Sequence, residues 1–177
     1  KKDNIRVNHQ FSEFVELVKS KPAFRRLWIA HIISKLGDWF SYIAVSLIAI
    51  ERGEGAFAIA LVLVAHTLPT ALMAPISGPL ADRYDKRVLL IFSYSGAAIL
   101  TFLMWGVSGS DVWLIQVVLF FRVSISGIGM TARSSSIPQL VGHEHLQAAN
   151  ALLGLTWSVA FTSGLALGGI IASVISP

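Results

Sequence analysis

Four side chains able to hold a charge or exchange a proton, His31, Lys35, Asp38 and Tyr42, recur inside one apolar run, Leu27 to Ile50. At 100° per residue on an α-helix they fall within about 60° of one another, so they make a single polar stripe on an otherwise apolar cylinder. Such a stripe cannot face lipid, and Ser34 and Gly37 border it. Two further apolar runs carry one such residue each. His66 stands ten residues from Ala56, and Arg122 ten residues from Val112. At the helical rise both lie about 15 Å from their starting surface, and Asp38, eleven residues from Leu27, lies about 16 Å from its own. The three groups therefore reach one level. An arginine there is always charged and needs a carboxylate, carbonyls, water or an anionic substrate beside it. A desolvated aspartate can take up a proton, while a neighbouring cation opposes that uptake. The chemistry on offer is reversible charge pairing and proton exchange inside a low-dielectric interior. Lys35 has two readings, pairing with Asp38 or snorkelling on its long stem. His66 also has two, a neutral histidine bonded to a neighbouring helix or a proton-handling group. His31, near the edge of its run, reads as an interface residue.

The elements that must hold these residues are spans. Of the 177 residues 54% are hydrophobic and 14% charged, with a mean hydropathy of +0.67, too apolar for a soluble domain of this size. Five runs, about 27–50, 56–80, 88–107, 112–132 and 151–175, are each long enough to cross a bilayer. They are continuous rather than alternating, which argues against a transmembrane barrel and leaves helices to satisfy the backbone. The expected fold is an all-α polytopic membrane protein, with a lead-in over 1–26 and a transmembrane domain over 27–177. The first apolar run is too long for the core of a cleavable signal, so the first span is expected to direct insertion itself. The sequence contains no cysteine, which excludes disulfides and thiolate metal sites. The net charge of +4 comes mostly from the first 26 residues and reports contact with headgroups rather than nucleic acid.

Direction follows from the basic residues. Gly78 to Arg87, a charged hairpin between the second and third spans, carries Arg83, Lys86 and Arg87, and basic loops stay in the cytoplasm. The amino terminus and Arg133 to Leu146 are then expected in the cytoplasm, with Glu51 to Gly55 and Ser108 to Asp111 outside. In the lead-in, Phe11, Phe14, Val15 and Val18 make a stripe expected to lie on the cytoplasmic leaflet as a simple anchor. Pro69 and Pro75 suggest kinks in the second span. The third span has no ionisable group apart from Tyr94 and reads as peripheral, with Asp85 as its helix cap. His143 and His145 read as solvated loop residues rather than metal ligands. The fifth span is rich in small residues, and Gly164 and Gly168 have the spacing used for close helix packing, with Gly169 beside them.

Within the hairpin, Gly78, Leu80, Asp82, Arg83 and Arg87 resemble the signature that joins the second and third helices of the major facilitator superfamily. Asp85 replaces the signature's second glycine, a change that resembles the macrolide-efflux and siderophore-exporter branch. SKLGDWF in the first span, and SSSIPQLV and AAN before the fifth, resemble the same branch. GLALGG at Gly164 to Gly169 resembles an antiporter signature, with Leu165 in place of its proline. The resemblance implies most of the amino-terminal half of a transporter, lacking the sixth helix and the carboxy-terminal half, which would lie in the same or another chain. It also implies a bacterial inner-membrane protein that exports a small organic molecule against protons by alternating access. On this reading Asp38, Arg122, His66, Lys35, Tyr42 and Ser34 line a substrate and proton cavity, and the hairpin residues form a cytoplasmic gate. Metal or metal-chelate export, and a non-transporting membrane scaffold, are the alternatives. No enzyme motif, cofactor motif, metal site or nucleic-acid signature is present.

Overall fold

The computed structural model describes residues 12–175, with side-chain surroundings left out at 168, 169 and 171–175. The described chain is helical throughout, apart from short turns. A short helix α1 over 12–20 leads into α2 (Pro22–Glu51), α3 (Gly55–Arg83), α4 (Lys86–Gly106), α5 (Val112–Val141) and α6 (Leu146–Ile175), with one 3-10 turn at His143–His145. Five of these helices are long and apolar enough to cross a membrane. Large apolar side chains point outward along them, among them Phe57, Ile99, Phe102 and Trp105, as a lipid-facing surface requires.

Local chemistry sets the ends. Pro22 occupies the start of α2, where its missing N–H costs nothing. Gly53 and Gly55, with φ of +68° and +72°, make the tight α2–α3 turn. The Asp85 carboxylate accepts hydrogen bonds from the backbone N–H of Arg87 at 2.7 Å and Val88 at 3.3 Å, capping α4. α3 stays helical through Pro69, Pro75 and Pro79.

The helices run past the expected spans, and α5 differs most. Its expected end was Ala132, with Arg133 in a loop; it continues to Val141 and carries Arg133 with it. The three serines that read as linker fold back onto the helix: Ser134 donates to Met130 O, and Ser135 and Ser136 donate to Ala132 O. Hydroxyls bonded within their own helix do not break it. Only Gly142, with φ of +79°, ends α5.

α5 is the central helix. It packs on α2, α3 and α4, and 56% of its most apolar stretch is buried, against 17–22% for the other four. α6 lies against α2. Towards one end, Leu17, Phe24, Ile137, Val141, Ala149 and Leu152 form an apolar cluster. Towards the other, Val45, Val62, Ile115 and Leu119 form a second. The polar stripe of α2 lies between them.

The α1 stripe also differs from expectation. Leu17 is fully buried and is the centre of the face, with Phe14 and Val18 beside it, whereas Val15 is exposed. That face docks onto the ends of α5 and α6, where Leu17 completes an apolar cluster with Ile137, Val141, Ala149 and Leu152. Phe11 lies outside the described residues.

Candidate functional site

Asp38 is the hub of the interior. It is 6% exposed, and its two carboxylate oxygens take different partners. Lys35 Nζ donates to Oδ2 at 2.6 Å from one turn earlier on α2. Arg122 Nη1 reaches Oδ1 at 2.9 Å from α5, an ionic contact whose angle falls short of a directed hydrogen bond. Arg122 itself is 2% exposed, and its Nε donates to Thr101 Oγ1 of α4 at 2.8 Å. One guanidinium thus ties α5 to α2 and α4. Gly37 lies alongside it, and a Cβ there would make an ordinary contact of 3.5 Å with Arg122 Nη2.

His66 of α3 faces the same region. With Lys35, Asp38, Thr70, Ser126 and Met130 it lines a cavity of about 70 Å³. Its ring lies 5.1 Å from Tyr42 and 5.3 Å from Trp39, centroid to centroid, so two aromatic side chains of α2 hold it. Its Nδ1 is buried with no hydrogen-bond partner among the described residues. Of its two expected roles, a direct bond to a neighbouring helix through that nitrogen is not made. Ser34 lines two spaces: a larger one of about 370 Å³ with Gly37, Thr101 and Arg122, and a small one with Lys35 and Arg133.

His31, expected as an interface residue, has its side chain covered by protein. It is 2% exposed, and Arg133 Nη1 approaches both ring nitrogens, Nε2 at 3.1 Å. The reason is the continuity of α5, which carries Arg133 inward to cover the ring. Lys35 is paired with Asp38, although its stem remains partly exposed.

Sequence reasoning missed Arg133, Thr101 and Trp39. Arg133 follows Arg122 by eleven residues, and His31 precedes Asp38 by seven; both offsets return to one helix face within about 20°. That spacing was the available signal. Thr101 gave none, being a lone hydroxyl on a helix read as peripheral, yet α4 supplies it to Arg122.

The hairpin residues stand apart from this cluster. Gly78 has open space where a Cβ would go, Leu80 packs beside Ala81, Leu89 and Ile128, and the side chains of Asp82, Arg83 and Arg87 are exposed. In α6, a Cβ on Gly164 would come 2.8 Å from Trp39 Cβ, which shows how closely α6 meets α2. The surroundings of Gly168 and Gly169 lie outside the described residues. Among the described residues no group of three His, Asp or Glu side chains is placed to hold a metal ion.

The family described as transmembrane secretion effector matches residues 15–177. Among curated proteins, the chain is 28% identical over 163 residues to an uncharacterised MFS-type transporter, YfiS, of Bacillus subtilis, covering 88% of this chain. It is 26% identical over 168 residues to the enterobactin exporter EntS of Shigella dysenteriae, covering 90% of this chain. It is 22% identical over 158 residues to macrolide efflux protein A of Streptococcus pyogenes, covering 87% of this chain. The chain spans 39% of the length of each of these relatives. No solved structure matches it significantly. With five apolar helices and a family match over nearly its whole length, the chain belongs to the transmembrane secretion effectors of the major facilitator superfamily, a family of multi-pass membrane transporters.

Proposed function

We propose that this chain forms most of the amino-terminal half of a proton-coupled exporter of a small organic molecule, working by alternating access in a bacterial inner membrane. The observation that carries the reading is Asp38, buried between Lys35 and Arg122 in a chain whose relatives include an enterobactin exporter and a macrolide efflux protein. A proton on Asp38 cancels its attraction for both cations at once. Arg122 is then free to engage another acceptor, and the tie between α2 and α5 loosens. Proton arrival in this way biases one packing of the helices over another. His66 lines the same cavity as Asp38, which supports it as the group that passes the proton between Asp38 and water.

The exposed hairpin residue Asp82 serves the gate that the family resemblance implies, accepting hydrogen bonds from a helix of the remaining half. The test is export from proteoliposomes holding the full-length protein, with and without an imposed pH gradient, over a small panel of organic compounds. Export of at least one compound should rise with the gradient, and Asp82→Asn should slow it while substrate still binds. Equal rates with and without the gradient would remove the proton coupling.

On this reading the amino terminus and the α3–α4 turn, which carries Arg83, Lys86 and Arg87, lie in the cytoplasm, as basic loops tend to. Residues 1–177 contain no cysteine, so single cysteines placed among them report topology once any cysteine in the remaining half is replaced. In intact cells an impermeant maleimide should label a cysteine at Gly53 and spare one at Lys86. The reverse pattern inverts the orientation.

A further inference from the structure

We propose that Arg133, with His31 and Lys35, forms a binding site for the anionic group of a small organic substrate, entered from the groove at the Arg26 end past Tyr94. The proposal deepens the exporter reading and rests on it for the word substrate.

The charge count comes first. In the polar stripe between the two apolar clusters, Lys35, Arg122 and Arg133 face Asp38 alone, three cations and one carboxylate, a net +2. Asp38 takes up Lys35 and Arg122. Arg133 makes no ion pair among the described residues, and its Nε is buried with no hydrogen-bond partner there. His31, its near neighbour, has no negative charge to offer in either protonation state. A guanidinium stays charged in any protein, so a partly buried one with no carboxylate beside it and a buried Nε without an acceptor marks a place where an anion is wanted.

The donors around it suit such an anion. Ser34, Ser93, Tyr94 and Ser126 line the small space beside Arg133, and Ser126 Oγ also lacks a partner among the described residues. A guanidinium presents its N–H groups as a planar fork that matches a carboxylate or phosphate with two parallel hydrogen bonds. The space is about 20 Å³, room for a single water, so a carboxylate enters it only as the lining side chains of Ser34, Tyr94 and Met130 move outward.

Tyr94, whose hydroxyl interacts with the Arg133 guanidinium, stands between the site and open space and has to turn aside to admit a ligand. Tyr94 lines this small space and also an open groove of about 970 Å³ at the end that carries Arg26, Lys86 and Arg87. The body of a small molecule fits the groove while its anionic head passes Tyr94 to Arg133. Lys35, Ser126 and Met130 line both this space and the Asp38 cavity, so an anion at Arg133 lies next to the charge pair that the proton would switch.

The test measures binding rather than transport. Salicylate and its neutral amide, salicylamide, are titrated by calorimetry into the purified full-length protein and its variants. Salicylate should bind at least about tenfold more tightly than salicylamide, the ratio expected for one charge-assisted hydrogen bond. Arg133→Gln should bring salicylate down to the level of the amide. Without ligand, Arg133→Gln should melt close to wild type, because the charge it removes has no carboxylate partner among the described residues and the glutamine amide can still bond His31. Should Arg133→Gln not fold, Arg133→Lys keeps the charge but loses the fork and should weaken salicylate several-fold. An Arg133→Gln protein that retained the preference, a wild type that bound both compounds alike, or an Arg133→Lys protein with unchanged affinity would overturn the site. So would a markedly lower melting temperature for unliganded Arg133→Gln, which would mark Arg133 as the partner of a carboxylate elsewhere in the protein. The exporter reading fails separately: a protein that binds salicylate through Arg133 but exports nothing keeps this site and loses that function.

Discussion

Asp38→Asn is expected to abolish export driven by a pH gradient, a loss of at least about a hundredfold, because the switchable charge is gone while its two cations remain. The structure makes the effect asymmetric. Asp38 neutralises both Lys35 at 2.6 Å and Arg122 at 2.9 Å, so its removal leaves two cations facing each other in the interior. Arg122→Gln leaves Asp38 still paired with Lys35. Breaking a buried pair from one side costs about 3–5 kcal/mol, most of it the unpaired charge left behind. The asparagine variant should therefore lose more thermal stability than the glutamine variant. The double variant Asp38→Asn, Arg122→Gln should recover most of that stability, since Lys35 is partly exposed and can turn its ammonium towards water. It should not recover gradient-driven export. Melting temperatures of the three proteins, with efflux in proteoliposomes, check each step. If Asp38→Asn exported normally under a pH gradient, Asp38 would not be the coupling residue, and His66, on the same cavity, would be the next to test.

What the sequence made legible, and what it hid, follows from the range over which each signal acts. Hydropathy acts over twenty residues, so the five spans stand out, and so does a charged residue placed at the wrong depth. Asp38 and Arg122 were readable as lying at one level, and the structure sets them 2.9 Å apart. Arg133 was hidden by two short-range cues that agree with a loop, a run of serines and Pro138. Serine hydroxyls can close onto the carbonyls three and four residues back, and then the local signal for a turn vanishes into the helix. With α5 extended by about two and a half turns, His31 acquires a neighbour and is covered by protein. Leu17 was hidden differently. A nine-residue helix gives too few turns to fix the centre of its apolar face, and the docking surface that selects Leu17 is built from α5 and α6, far along the chain. Thr101 had no readable signal, because a single hydroxyl in a span normally bonds its own helix, as this one also does to Ala97 O at 2.8 Å.

The second large effect is steric and concerns the α4–α5 contact. Ser93 of α4 is almost fully buried against α5, where its hydroxyl donates to Ile125 O and accepts from Gly129 N at 2.9 Å. Those two backbone groups are one turn apart, so the hydroxyl sits at a single step of the α5 ladder and holds the helices in register. Contact this close requires the absence of a side chain at position 129. A Cβ built there would come 2.6 Å from Ser93 Oγ and 2.8 Å from Ser93 Cβ, and neither atom belongs to the free end of a flexible side chain. Gly129→Ala gains a little helix propensity, about 1 kcal/mol, but forces α4 away from α5. Overpacking of this kind costs about 1–3 kcal/mol, and lost hydrogen bonds to Ile125 and Gly129 add to it. Gly129→Val, with two further carbons to place, should prevent folding. The clash predicts its own remedy: Ser93→Gly removes both atoms that the new Cβ meets. In a double-mutant cycle read by thermal melting, Ser93→Gly and Gly129→Ala should each destabilise alone, while the pair should be more stable than the sum of the two losses. Additive losses would mean that α4 and α5 do not meet at this point. Arg122 would then have to find its hydrogen bond somewhere other than Thr101, two turns further along the same α4 face.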